Sequence, residues 1–254
     1  MSKLHLLRVV LHLFQGLATC ALVFPLAGPA MRERRIRNWS RKLLAICGVK
    51  LVVKGAISDS PALIVCNHIS WLDIFAVNSC RPCRFVAKSD IRDWPLLGWL
   101  CDRAGTIFIA RGRQRDVRRI FQGLVKSIHA GERVAFFPEG TTSLQGTVLP
   151  FHANLFEAAI DAEVPVQPYA LRYLDRKGQP HPAVDYVGDT TFVQSMMTIL
   201  QHRDITAELL VLPAISSEGA HRRELAVAAH DAVAGALEAS KFVEFVEFVG
   251  CNKR

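Results

Sequence analysis

Four short blocks of this chain hold residue types that can do acid–base or anion chemistry. The first is Asn67-His68-Ile69-Ser70-Trp71-Leu72-Asp73, directly after the apolar run 62–66. It places a carboxylate five residues after an imidazole. A turn between them folds Asp73 back onto one ring nitrogen of His68. The acid then orients the ring and stabilises its protonated form, while the other nitrogen takes a proton from a hydroxyl. A plainer arrangement also fits, in which His68 ends a strand and Ser70 or Asp73 caps a helix.

The second block, Gly105-Thr106-Ile107-Phe108-Ile109-Ala110-Arg111, reads as a buried strand delivering an arginine at its end. A guanidinium there suits a phosphate, because its fork matches two oxygens. The third is Phe136-Phe137-Pro138-Glu139-Gly140-Thr141-Thr142-Ser143, an apolar strand ending in a turn. Gly140 permits close backbone approach, and the free N–H groups and hydroxyls suit an oxyanion or phosphate. Glu139 is placed to hold Arg111 or a substrate hydroxyl. The fourth, Val164-Pro165-Val166-Gln167-Pro168, is a proline-flanked edge or irregular strand.

These blocks need a frame to bring them together. From residue 50 onward, short β-rich runs alternate with helical ones. Strands are expected at 51–54, 62–66, 84–87, 106–110, 133–137, 164–171 and 207–212. Helices are expected at 71–78, 114–130, 153–162, 192–200 and 218–239. Several strands are apolar throughout, as strands covered on both faces are. The reading is an α/β fold, a three-layer mixed sheet flanked by helices. The tail 242–249 (FVEFVEFV) reads as an edge strand or an apolar docking segment.

The first 48 residues have a different character. Residues 9–28 are almost continuously apolar. As a helix, about 20 residues rise about 30 Å, the thickness of a bilayer hydrocarbon core. Pro25, Gly28 and Pro29 break the run. Residues 31–42 then carry Arg32, Arg34, Arg35, Arg37, Arg41 and Lys42 against a single acid, Glu33, with Trp39 among them. A cleaved signal peptide fits poorly, because the run is too long and lacks an A-x-A site. A buried helix pair is the plain alternative. A membrane-inserted or interfacial helix followed by a basic amphipathic one fits the composition best.

The bulk numbers describe a greasy, basic chain. Half of the 254 residues are hydrophobic and the formal charge is +8; mean hydropathy is +0.21 and the pI is near 9.3. A basic balance favours an anionic partner. Aromatic content of 8%, with no nucleic-acid motif, argues against nucleic acid. The seven cysteines form no disulfide framework, which fits a reducing compartment. Cys80 and Cys83 make one CxxC with no second pair at zinc spacing, so no metal is expected.

Order and spacing together make the four blocks specific. They resemble the ordered blocks of the glycerolipid acyltransferases, and most of all the bacterial 1-acylglycerol-3-phosphate acyltransferases, over residues 30–215. The stretch Lys88-Ser89-Asp90 with Pro95 and Gly98 adds to the likeness. The resemblance implies that His68 is the general base and Asp73 its partner. It implies that Arg111 contacts the acceptor phosphate, that Glu139, Gly140 and Thr141 shape the acceptor pocket, and that Lys88 adds charge beside it. Pro165 falls in an acyl-binding or structural block. Residues 1–48 become membrane-docking helices and 49–254 an α/β acyltransferase domain.

The implied reaction joins a fatty acyl group to the free hydroxyl of 1-acylglycerol-3-phosphate, giving phosphatidic acid. Acyl-CoA or acyl-carrier protein is the co-substrate, with no cofactor. The partners are the lysophospholipid, the acyl thioester and an anionic membrane surface, with the catalytic domain on the cytoplasmic side of the inner membrane. Backbone N–H groups around His68 or Gly140 are expected to hold the oxyanion. One departure is His152, in Phe151-His152-Ala153-Asn154, where the family often has a base. It makes a poorer phosphate partner and points to another lysolipid, such as lyso-ornithine lipid. A serine hydrolase lacks its GxSxG elbow here, and a non-catalytic lipid binder leaves the His68/Asp73 pair unexplained.

Overall fold

The structure, a computed structural model, describes residues 2–109 and 114–250. An N-terminal helix α1 (Ser2–Ala18) runs on through a π turn at Thr19–Val23 and a 3₁₀ turn at Phe24–Leu26. Helix α2 (Pro29–Ile46) starts with Gly28 as N-cap and Pro29 in the first turn, where a missing N–H costs nothing. Its end is closed by Gly48 at φ +75°, whose N–H donates to the Ala45 carbonyl.

The sheet strands are β1 (Val49–Lys54), β2 (Leu63–Cys66), β3 (Arg84–Lys88), β4 (Ile107–Ile109), β5 (Val134–Phe136), β6 (Val166–Leu174) and β7 (Ile205–Val211). The helices between and after them are α3 (Asp73–Cys80), α4 (Leu97–Arg103), α5 (Gln114–His129), α6 (Glu157–Asp161), α7 (Phe192–Ile199) and α8 (Arg222–Gly250). The strand order is β1-β7-β6-β2-β5-β3-β4. Among the described strands only β6 and β7 pair antiparallel. Strands β6, β2, β5, β3 and β4 are mutually parallel. Their C-terminal ends therefore share one edge of the sheet, the edge at which α/β proteins place their chemistry.

Strand β2 shows why there are three layers. Its residues alternate faces. Ile64 and Cys66 enter a core with Leu43 and Leu44 of α2, Ala76 and Val77 of α3, and Ile199 of α7. Leu63 and Val65 enter the opposite core with Leu124 and Ile128 of α5, Phe156, and Leu225 and Ala229 of α8. All four β2 residues are buried, which explains their unbroken apolar sequence.

Helices α1 and α2 form a hairpin closed by their own polar groups. His12 Nε2 lies 2.9 Å from the Trp39 carbonyl, and Trp39 Nε1 donates to the His12 carbonyl at 3.0 Å. A Cβ on Gly16 would lie 2.8 Å from Trp39 Nε1, so glycine sets this close approach. Arg32 folds back to donate to the carbonyls of Phe24 and Ala27. The hairpin is neither a fully buried pair nor a free one. Val9, Leu43 and Leu44 join the main core, while Leu4, Leu7, Leu11 and Phe14 line an exposed face. The stretch Leu4–Leu26 is long and apolar enough to cross a membrane, by length and composition, and only 28% of its most apolar window is buried.

The tail differs from expectation. Residues 242–249 lie inside α8 rather than in a strand or a separate segment. The FVE triplet recurs every three residues, near the helical period rather than the strand period of two, and no Gly or Pro separates it from the preceding helix. Its Phe and Val content suggested a strand. Helix α4 was not anticipated, because seven residues are too few to show periodicity.

Candidate active site

Strand β2 delivers Asn67 and His68 to the shared edge. Asn67 is buried and clamps the exit of the strand onto β6. Its Nδ2 donates to the Leu171 carbonyl at 2.9 Å, and its Oδ1 accepts the Leu171 N–H at 2.8 Å. The chain then turns back, and α3 begins at Asp73, which is fully buried.

Asp73 collects four donors. Its Oδ2 accepts the N–H of Ile69 at 2.7 Å and of Ser70 at 2.9 Å, and lies 2.8 Å from His68 Nδ1. Its Oδ1 accepts the Tyr173 hydroxyl at 2.7 Å. Those bonds answer the desolvation of a buried carboxylate. They also force the tautomer: the Nδ1 proton faces Asp73, so the lone pair sits on Nε2. Among the described residues Nε2 has no hydrogen-bond partner. The His68 side chain is 19% exposed and lies flat on Phe137, with ring centroids 3.9 Å apart.

The turn after β5 supports the same loop. Glu139 is buried, and its Oε1 accepts the His68 N–H at 2.7 Å while Oε2 accepts the Leu149 N–H at 2.9 Å. Burial pushes its carboxyl above the usual range, opposed by those two N–H groups. Ser143 N–H donates to the His68 carbonyl at 2.8 Å. Gly140 has φ +69°, and a Cβ there would sit 3.3 Å from His152 Cδ2. Thr142 Oγ1 donates to the Tyr186 carbonyl, and the Tyr186 N–H donates to the Ile69 carbonyl at 3.2 Å.

Of the residues singled out in the sequence, His68, Asp73, Glu139 and Gly140 thus form one connected structure. Thr141 is exposed beside them. Lys88 is exposed at the C-terminal end of β3, on the same sheet edge. Arg111 lies outside the described residues.

A family model described as Acyltransferase matches residues 49–172. The lyso-ornithine lipid O-acyltransferase of Pseudomonas aeruginosa is 37% identical over 207 residues, covering 82% of this chain and 80% of that protein. The chain belongs to the glycerolipid acyltransferase family. The 1-acyl-sn-glycerol-3-phosphate acyltransferase of Neisseria meningitidis is 40% identical over 153 residues, 59% of this chain and 60% of its own length. The acyltransferase also shares its fold with the crystal structure of PlsC, the 1-acyl-sn-glycerophosphate (LPA) acyltransferase of Thermotoga maritima. That likeness has a TM-score of 0.67 at 19% identity and covers 95% of this chain and 98% of the other.

Several of the acyltransferase's site contacts have no sequence signal of their own. Tyr173 arrives from β6, 100 positions after Asp73, and nothing in its surroundings marks it as polar machinery. Its hydroxyl is pushed well above the ordinary phenol value by burial and by the Asp73 charge, so it stays a donor. Cys66 adjoins the site but is buried, and burial first, then Asp73 and Glu139, raise its thiol well above the ordinary value. Such a thiol is a poor nucleophile. His181, His202 and Asp204 form the described cluster with metal-ligand spacing. Its hydrogen bonds oppose that use: His181 Nδ1 accepts the Ala183 N–H at 3.2 Å. That leaves the ring proton on Nε2, 3.6 Å from Asp204 Oδ1.

Proposed function

We propose that this acyltransferase moves a fatty acyl group from acyl-CoA or acyl-carrier protein to the free hydroxyl of a lysolipid, with His68 as general base. The observation that carries the reading is the Asp73–His68 pair: a fully buried carboxylate fixes Nδ1 at 2.8 Å, and Nε2, without a partner among the described residues, belongs to a ring 19% exposed. The acceptor oxygen attacks the thioester carbonyl while its proton passes to Nε2. The tetrahedral intermediate collapses, the C–S bond breaks, and the thiolate takes the proton back. General base help is worth about 10²–10⁴-fold, so positioning must supply much of the rest.

The oxyanion needs donors that no internal bond has taken. The N–H groups of His68, Ile69 and Ser70 are already given to Glu139 and Asp73. Those of Thr141 and Thr142 form no hydrogen bond among the described residues. This favours the turn after β5 over the His68 loop as the oxyanion site.

For the acceptor, lyso-ornithine lipid is the reading we favour. The relatives that bear that name match over the greater part of this chain, with 82% for the Pseudomonas protein and 76% for that of Rhodobacter capsulatus. His152, packed beside Gly140, puts an imidazole where a lysine or arginine would put a fixed charge. Lysophosphatidic acid is the second reading, supported by the 40% identity to the Neisseria enzyme and by an arginine expected at a phosphate. Mass spectrometry of lipids after incubation with acyl-CoA and both lysolipids separates them. Faster consumption of lysophosphatidic acid would make it the preferred acceptor and lyso-ornithine lipid the lesser one.

The exposed apolar face of α1 and the basic α2 support docking on an anionic membrane surface, with the lysolipid acylated where it resides. The described cysteines are free thiols, which suits the cytoplasmic face of the inner membrane.

A further inference from the structure

Between β3 and β4 the chain makes an excursion out of the sheet. A 3₁₀ turn at Ser89–Asp93 leads through Trp94, Pro95 and Leu96 into α4. Leu96 has φ +62° and ψ −46°, and the Leu97 N–H donates back to the Pro95 carbonyl at 2.7 Å. This is the rare γ-turn with positive φ, strained for any residue with a Cβ. The surroundings hold it in place. Gly98 N–H donates to the Trp94 carbonyl at 2.9 Å, and a Cβ on Gly98 would fall 2.0 Å from the Arg92 carbonyl oxygen.

A loop folded this tightly still keeps its largest apolar groups outside. Leu96 is 62% exposed, Trp94 41% and Trp99 39%. Two cations frame them. The Arg103 guanidinium lies over the Trp99 ring at 5.5 Å, and that of Arg92 over Phe108 at 5.7 Å. Arg92 also lies 3.6 Å from Asp102, with most of its side chain exposed.

The loop is tied to the N-terminal hairpin by an unbroken run of rings. His12 stacks on Trp39 at 4.5 Å, Trp39 meets Phe75 at 5.7 Å and Phe75 meets Trp71 at 6.0 Å. Trp71 meets Phe192 at 5.0 Å, and Phe192 meets Trp94 at 6.3 Å. The run passes three residues after His68.

We infer that the loop of residues 92–103 is a second membrane contact, inserting Trp94, Leu96 and Trp99 among anionic lipid headgroups beside α1. The inference rests on the membrane-docking reading above. Tryptophan prefers the water–hydrocarbon boundary, a projecting leucine gains from burial there, and the two arginines meet headgroup phosphates.

The test uses the full chain and vesicles of equal parts phosphatidylethanolamine and phosphatidylglycerol. Leu96→Asn removes the apolar tip with a residue that tolerates positive φ, and Trp94→Phe removes one fluorophore. The expected results are vesicle partition of Leu96→Asn weakened roughly tenfold, as burial of one leucine implies, and loss of part of the brominated-lipid quenching in Trp94→Phe. Turnover of Leu96→Asn on a short-chain lysolipid dispersed in water should match wild type. Unchanged partition together with unchanged quenching would overturn the inference. So would unchanged partition with a raised KM for acyl-carrier protein, which would make the loop a protein-docking surface. If wild type acylates no lysolipid at all, the functional reading fails, while the vesicle result still decides the docking one.

Discussion

The Glu139 carboxylate holds the backbone of His68: Oε1 accepts the His68 N–H at 2.7 Å across 71 positions of sequence. Its second oxygen takes the Leu149 N–H, so both oxygens are used in fixing loops. The turn after β5 thereby sets the height at which the imidazole stands above the sheet edge.

Glu139→Gln replaces one acceptor with a donor that faces an N–H. The expected cost is about 1–3 kcal/mol of stability, seen as a lower Tm, together with a fall in kcat as His68 shifts. The pH dependence carries a sign. Burial raises the Glu139 value in the fold above its unfolded value. Its contribution to stability is complete below the unfolded value and is lost as pH rises through the folded one. Denaturation midpoints from pH 4 upward should show this decline in wild type and not in the variant.

Tyr173→Phe removes the only donor on Asp73 Oδ1 among the described residues and leaves a buried oxygen unpaired. A stability loss of about 1–3 kcal/mol is expected. Activity should fall less than in a variant of Asp73 itself, because His68, Ile69 and Ser70 still hold Oδ2. Thermal melts and kcat measured side by side check both parts.

Gly140→Ala puts a Cβ at positive φ and 3.3 Å from His152. The strain is about 1–2 kcal/mol, and relief requires the turn to move. Reduced kcat with a modest drop in Tm is expected, and pairing the change with His152→Ala should recover the steric part but not the backbone part.

Arg111→Ala should chiefly raise the acceptor KM if a headgroup anion is bound there. An unchanged KM for every lysolipid tested would remove Arg111 from headgroup binding.

Short-range contacts were legible in the sequence, and long-range ones were not. The His68–Asp73 contact spans five residues, so one turn can make it, and the strand runs that end in each block were visible as buried apolar stretches. Glu139 looked like a partner for Arg111 or a substrate hydroxyl, because sequence shows side chains and not the backbone N–H groups it binds. Tyr173 could not be found, since only the β2–β6 pairing brings it under Asp73. The basic run of α2 reads in the sequence as charge for an anionic membrane surface, yet Arg32 and Arg41 spend donors on the carbonyls of Phe24, Ala27 and Ser79. The tail showed β-forming residues but belongs to a helix, because its three-residue period outweighs its composition.

The most direct test is single-turnover acyl transfer by His68→Ala, followed by thioester loss and lipid mass spectrometry on protein shown to be folded by circular dichroism. Loss of about 10²–10⁴-fold or more in the chemical step, with vesicle binding intact, is the expected result. Turnover at the wild-type rate would contradict the assignment of the imidazole as the base.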